Sequence, residues 1–192
     1  MTEPIKLVLI YGSTREGRFC DVVARWATAE IGRHADFALR LVDPAALALP
    51  ARHEREKNAA LRALESELAA ADAFVVVTPE YNHGYPAALK FLIDSLNQPW
   101  RAKPVAFVCY GGISGGLRAV EQLRLVFAEV HAVAIRDSVS FANARTKFDP
   151  GGRLLEPDAP GQAMATMLRQ LQWWALALRA GRAARAYGET AA

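Results

Sequence analysis

The chain has 192 residues, 52% of them hydrophobic and 22% charged, and a net charge of +3. That length suits one domain with a substantial buried core, and the balance excludes a disordered or low-complexity chain. So small a positive excess does not mark a nucleic-acid binder. Cys20 and Cys109 cannot build a disulfide framework and no C-x-x-C occurs, so a reduced, cytoplasmic setting is expected. The run Ile5–Tyr11 is too short to span a bilayer, which takes ~20 apolar residues, and no small-residue cleavage site follows it.

Ile5–Tyr11 (IKLVLIY) is rich in branched residues and stopped by Gly12, which predicts a buried strand. Asp21–Arg33 carries apolar residues at helical spacing, and Phe37–Val42 is a second strand closed by Asp43-Pro44. Asn58–Ala71 places Leu61, Leu64 and Leu68 on one helix face, and Ala73–Thr78 (AFVVVT) is the strongest strand of all. Helical spacing resumes over Pro86–Leu96, with Pro86 suited to a first turn. Pro104–Tyr110 is strand four, Gly116–Val130 a helix and Val133–Phe141 strand five. Asn143–Pro160 holds the turn signal Asp149-Pro150-Gly151-Gly152 and reads as loop or hairpin. The last helix is expected over Gly161–Ala184, with a frayed tail over Tyr187–Ala192.

Strands alternating with helices imply right-handed crossovers and a parallel sheet covered on both faces. Five strands and five helices suit a flavodoxin-like three-layer sandwich of strand order 2-1-3-4-5, residues 1–192 forming a single domain. Ligands in such sheets lie beyond the carboxyl ends of the strands, which directs attention to the loops after strands one, three and four.

The first of these loops, Gly12-Ser13-Thr14-Arg15-Glu16-Gly17-Arg18, brings two glycines, two hydroxyls and two guanidiniums to a helix N-terminus. Unpaired N–H groups, the helix dipole and arginine all favour a phosphate there. The spacing of Gly12 and Gly17 matches part of a P-loop, but Arg18 and Phe19 replace its Lys and Ser/Thr. The magnesium-binding hydroxyl is therefore missing, which disfavours an ATPase or GTPase. Thr14 also breaks the G-x-G-x-x-G dinucleotide pattern. A plain turn with solvated charges is the competing reading.

The second loop, Pro79-Glu80-Tyr81-Asn82-His83-Gly84-Tyr85-Pro86, can present backbone groups to a planar heterocycle while rings pack on its faces. The third, Tyr110-Gly111-Gly112-Ile113-Ser114-Gly115-Gly116, lets the backbone approach a ligand without side-chain bulk.

Gly12-Ser13-x-Arg15, Pro79-Glu80-Tyr81-Asn82 and the glycine-rich third loop together resemble the NADPH-dependent FMN reductase family. That family includes chromate-, quinone- and azo-dye-reducing flavoproteins. The resemblance runs from Ile5 to Phe141 and is most specific at Pro79–Asn82 with Leu89-Lys90 and Asp94. It implies that Ser13, Arg15 and Arg18 hold the FMN phosphate. It implies that Pro79, Glu80, Tyr81 and Asn82, with His83 and Gly84, lie along the isoalloxazine, and that Gly111, Gly112 and Ser114 flank its other side. Where this chain reads Arg18-Phe19-Cys20, many relatives carry Ser and Asn. The resemblance further implies a homodimer or homotetramer with its flavins near the subunit contact.

With FMN in the cleft, the cofactor would carry the redox step. NADPH or NADH would be the reductant, and free flavin, quinones or similar small molecules the acceptors, in a ping-pong cycle. Hydride transfer to flavin N5 asks no side chain to be a catalytic acid or base. A flavodoxin-type electron carrier reduced by a protein partner is the alternative, and a module that has lost flavin a third. His34, His53, His83 and His131 show no ligand spacing, so no metal site is expected. Glu80 is expected to fix its loop, Cys20 to pack as an inert thiol, and Arg179, Arg182 and Arg185 to form a solvated stripe. Trp173-Trp174 could face either the sheet or a subunit contact.

Overall fold

A computed structural model describes residues 3–188 of the chain. Its five parallel strands are β1 (Ile5–Tyr11), β2 (Phe37–Val42), β3 (Ala73–Pro79), β4 (Pro104–Tyr110) and β5 (Val133–Phe141). They lie in the order β2-β1-β3-β4-β5, the order the alternation of elements predicts. The helices are α1 (Cys20–Ile31), α2 (Ala59–Ala70), α3 (Ala87–Ser95), α4 (Leu117–Glu129) and α5 (Asp158–Ala184).

Side chains alternate across a strand, so each buried strand feeds two cores. Leu7, Leu9, Val75, Val77 and Val108 meet Val23 and Ala27 of α1 and Met167 and Leu171 of α5. Val8, Ile10, Phe74, Val76 and Phe107 meet Leu64 and Leu68 of α2, Leu92 of α3 and Leu123 and Phe127 of α4. Every residue of β3 and β4 is buried, which explains why those strands read as unbroken apolar runs.

Boundaries differ from expectation where capping decides them. Asn58 accepts a hydrogen bond from the Leu61 amide at 2.9 Å and so caps α2 instead of joining it. The last helix starts at Asp158, three residues before Gly161, because Pro160 falls in its first turn, where a missing N–H costs nothing. Ahead of it, Phe148 and Leu154 pair antiparallel around Asp149-Pro150-Gly151-Gly152, a hairpin as expected.

The arginine stripe of α5 is not left to solvent. Arg179 and Arg182 both reach Asp72, at 3.4 and 3.3 Å, and Arg182 also donates to the Ala102 carbonyl at 2.5 Å. Only Arg185 of the three is exposed and outside these pairs. Trp174 packs against the α1/α5 core, whereas Trp173 is 61% exposed. In the tail expected to fray, the Tyr187 hydroxyl meets His131 Nδ1 at 3.0 Å; residues 189–192 lie outside the described residues.

Beside this cluster Lys103 is 5% exposed and donates to the carbonyls of Leu68 and Ala69, at 2.8 and 2.7 Å, closing the end of α2. Burial, aided by the nearby Arg182 charge, lowers its pKa from 10.5 to about 8. Between those values the unfolded chain holds the proton that the folded chain has lost, so this group makes stability rise with pH across that window. Denaturant titrations at several pH values should show wild type gaining on Lys103→Met by up to about 1.4 kcal/mol per pH unit there. A difference that stays flat through the window would contradict the assignment.

Candidate functional site

The loops after β1, β3 and β4 converge at the carboxyl edge, as the strand order requires. At Gly12 the amide donates to the Val77 carbonyl at 2.7 Å, and a Cβ there would lie 2.8 Å from the same oxygen. Glycine alone allows this approach, and it delivers Ser13, fully buried, to share a 2.8 Å hydrogen bond with the Tyr81 hydroxyl. Arg15 lies over the Tyr81 ring, its guanidinium carbon 3.7 Å from the centroid.

Past Ser13 the chain opens. The backbone N–H groups of Thr14, Glu16 and Gly17 make no hydrogen bond with another described residue, and Phe19, the N-cap of α1, offers no side-chain acceptor. These are unspent donors in the loop that leads into α1. The thiol of Cys20 sits beneath them, buried and 3.5 Å from the Val77 carbonyl, and burial raises its pKa. It is therefore a packed thiol, not a poised thiolate.

Arg18 is committed elsewhere. It donates to Asp21 at 2.8 Å, to Asp43 through both terminal nitrogens and to the Ser13 carbonyl. Four of its five N–H groups are thereby used. Hydrogen bonding to Asp43 raises the Arg18 pKa, and the same bond lowers that of Asp43. In this structure the guanidinium ties the first loop to the end of β2, while Arg18 still lines the cleft as expected.

The second loop closes as a two-residue hairpin turn, with Tyr81 and Gly84 exchanging backbone hydrogen bonds of 2.9 and 3.0 Å. Asn82 and His83 take the left-handed conformation such a turn demands, and Gln122 of α4 holds the His83 carbonyl at 2.8 Å. Glu80 accepts from the Arg118 amide at 3.1 Å and guanidinium at 3.0 Å. Burial alone would raise its pKa, but Ser114 and Arg118 together lower it. Glu80 thus fastens its loop to α4, the role the residue pattern favoured.

The resulting cleft encloses about 580 Å³. From the expected set, Arg15, Arg18, Pro79, Glu80, Tyr81, Gly111 and Gly112 line it. Ser13 lies beneath Tyr81, Ser114 beside Glu80, and Asn82, His83 and Gly84 form the turn outside its lining. Sequence reading missed Phe19 and Tyr110, whose rings meet edge-on at 5.9 Å, and the whole contribution of Asn143–Thr146. That last segment follows β5, and the carboxyl-edge rule would have found it had the fifth strand been included. Its Asn143 and Ala144 amides bind the Gly112 and Gly111 carbonyls at 2.8 and 3.1 Å, and Arg145 stands 5.2 Å over the Phe19 ring.

A doubly wound parallel sheet with donor-rich and glycine-rich loops at its switch point defines a flavodoxin-like binder of a phosphate-bearing cofactor. A family model for NADPH-dependent FMN reductases matches residues 5–146, and the chain belongs to that family of oxidoreductases. It is 31% identical to an NAD(P)H-dependent FMN reductase of Pseudomonas aeruginosa over 93% of this chain and 100% of the other. Identity to an NAD(P)H-dependent FMN reductase of Schizosaccharomyces pombe is 36% over 58% of this chain, a match spanning 60% of that protein's length. Among solved structures, FerB of Paracoccus denitrificans, a flavoenzyme NAD(P)H:(acceptor) oxidoreductase, superposes with a TM-score of 0.72. At 16% identity, over 90% of this chain and 98% of FerB, that likeness speaks for the fold alone.

The Arg18–Asp43 bond generates a stability test. Because the Asp43 pKa is depressed from 3.8, the bond is fully effective above that pH and is lost as the pH falls through the folded value. Asp43→Asn should cost about 1–3 kcal/mol at neutral pH, with the deficit shrinking as the pH falls below 3.8. Urea titrations of both proteins across that range measure it, and a pH-independent deficit would contradict it.

Proposed function

We propose that this chain binds FMN in the carboxyl-edge cleft and passes electrons from NAD(P)H to small flat acceptors such as free flavin or quinones. The observation that carries the reading is the pairing of unspent backbone donors at Glu16 and Gly17 with an open glycine wall in one cleft. A Cβ at Gly112 would meet nothing within 4 Å, so that wall leaves room for a planar ring. The volume, about 580 Å³, also falls in the range of small-molecule and cofactor sites.

In this reading Ser13, Arg15 and the first-loop amides receive the phosphate. Pro79, Glu80, Tyr81 and Asn82, with the turn at His83 and Gly84, border one side of the ring system, and Gly111, Gly112 and Ser114 the other. When bound, FMN supplies hydride acceptance from NAD(P)H and electron delivery to the second substrate. The protein's own work is positional. The Glu80–Arg118 bridge and the Gln122 anchor keep the second loop in place, and the Ser13–Tyr81 bond holds it to the first. One open cleft serves reductant and acceptor in turn, which predicts ping-pong kinetics, and water can supply the proton. Exposed Ile113, next to the cleft-lining Gly112, and exposed Leu117 and Leu125 of α4 support the homo-oligomer implied by the resemblance.

The deciding experiment is an absorbance spectrum after FMN loading and desalting, followed by anaerobic NADPH and NADH. Flavin bands that persist and then bleach support the reductase reading. Bands that persist unbleached with either nucleotide favour the electron carrier, and a protein with no flavin affinity in titration defeats both. Arg15→Ala should weaken FMN binding by about 1.5–3 kcal/mol, and an unchanged affinity would remove Arg15 from the phosphate site.

A further inference from the structure

We propose that Arg145, not Arg18, is the second guanidinium that binds the FMN phosphate, an inference that rests on the flavin reading above. The first loop presents unspent amides, yet its own Arg18 is held by Asp21, Asp43 and the Ser13 carbonyl. One cation among two carboxylates leaves that cluster a net negative charge. Such a cluster does nothing to attract a phosphate that carries a charge of about −1.5 to −2. Among the described residues, Arg15 is left as the one cation of the loop that enters no ion pair.

Arg145 reaches the same cleft from the far side. It lines the cavity together with Arg15 and Gly17, and it enters no ion pair among the described residues. Its guanidinium carbon lies 5.2 Å over the ring of Phe19, the residue that caps α1. This places a cation at the start of α1, beside the loop whose Glu16 and Gly17 amides make no hydrogen bond with another described residue. The position is also built. Ala144 is buried, its amide and that of Asn143 are bound to the Gly111 and Gly112 carbonyls, and Thr146 Oγ1 donates to the Asn143 carbonyl at 2.9 Å. Phe148 packs edge-on against Phe19 at 5.7 Å and ties the segment to α1. The backbone that carries Arg145 is thus fixed, and its exposed guanidinium, without an ion pair among the described residues, is available to a phosphate oxygen.

The rival occupant for Arg145 is a phosphate of the nucleotide reductant, and a comparison of two flavins separates the cases. FMN and riboflavin share the ring and ribityl chain and differ only in the phosphate. Titrating each into flavin-free protein, Arg145→Ala should raise the FMN dissociation constant about 10- to 100-fold and leave that of riboflavin within about twofold. Arg145→Lys should recover part of the loss, and Arg18→Gln should leave the ratio of the two affinities as in wild type. The wild-type FMN affinity should also fall more steeply with salt than the variant's. Equal losses for both flavins, or an unchanged FMN affinity with a raised KM for NADPH, would overturn the assignment. If Arg145→Ala does not fold, Arg145→Lys and the salt dependence of wild type decide the matter alone. Wild-type protein that binds neither flavin would defeat the flavin reading itself, a separate outcome.

Discussion

The approach of Gly12 to the end of β3 governs where a cleft can form in this molecule. With 2.7 Å between the Gly12 amide and the Val77 carbonyl, parallel pairing runs to the last residue of β1. Ser13 then emerges against Tyr81 instead of against solvent. Two loops that belong to different crossovers are joined there by one hydroxyl pair. A side chain at position 12 would separate the strands and the loops together.

From that junction the arginines take their roles from their partners, not from their place in the chain. Arg15 and Arg18 are three residues apart, yet one lies over a tyrosine ring and the other is absorbed by two carboxylates. Arg118 holds Glu80 to α4, and Arg145 reaches over Phe19 from the β5 loop with no carboxylate partner among the described residues. In each case fixed donor geometry converts a common residue into a strut or leaves it available.

The opposite edge of the sheet has the contrary design. Asp72 collects Arg179 and Arg182, Lys103 closes α2, and His131 meets Tyr187, so the groups there are spent on one another. Long α5 is thereby fixed at one end of the sheet while its preceding loop reaches the other. A saturated edge holds the fold and an unsaturated edge lines the cleft. That division is expected of doubly wound sheets, whose strand ends point all their connecting loops to one side.

Much of this was legible without coordinates. Unbroken apolar runs at Ala73–Thr78 and Pro104–Tyr110 can only be strands buried on both faces, and helical spacing between them forces parallel crossovers. Local chemistry also revealed the three loops, since glycine spacing and turn residues act over a few positions. What the sequence could not disclose was pairing across the fold. Arg18 reads as a phosphate ligand until Asp43, twenty-five residues on, is seen to hold it. Nothing in Asn143–Pro160 marks Arg145 in the sequence; the Gly111 and Gly112 carbonyls draw its segment to the cleft. The stripe of α5 reads as solvated until Asp72 appears beneath it. Periodicity records which way a side chain faces within its own element. Only tertiary structure brings a charge to its partner, because that distance is set by the packing of elements remote in the chain.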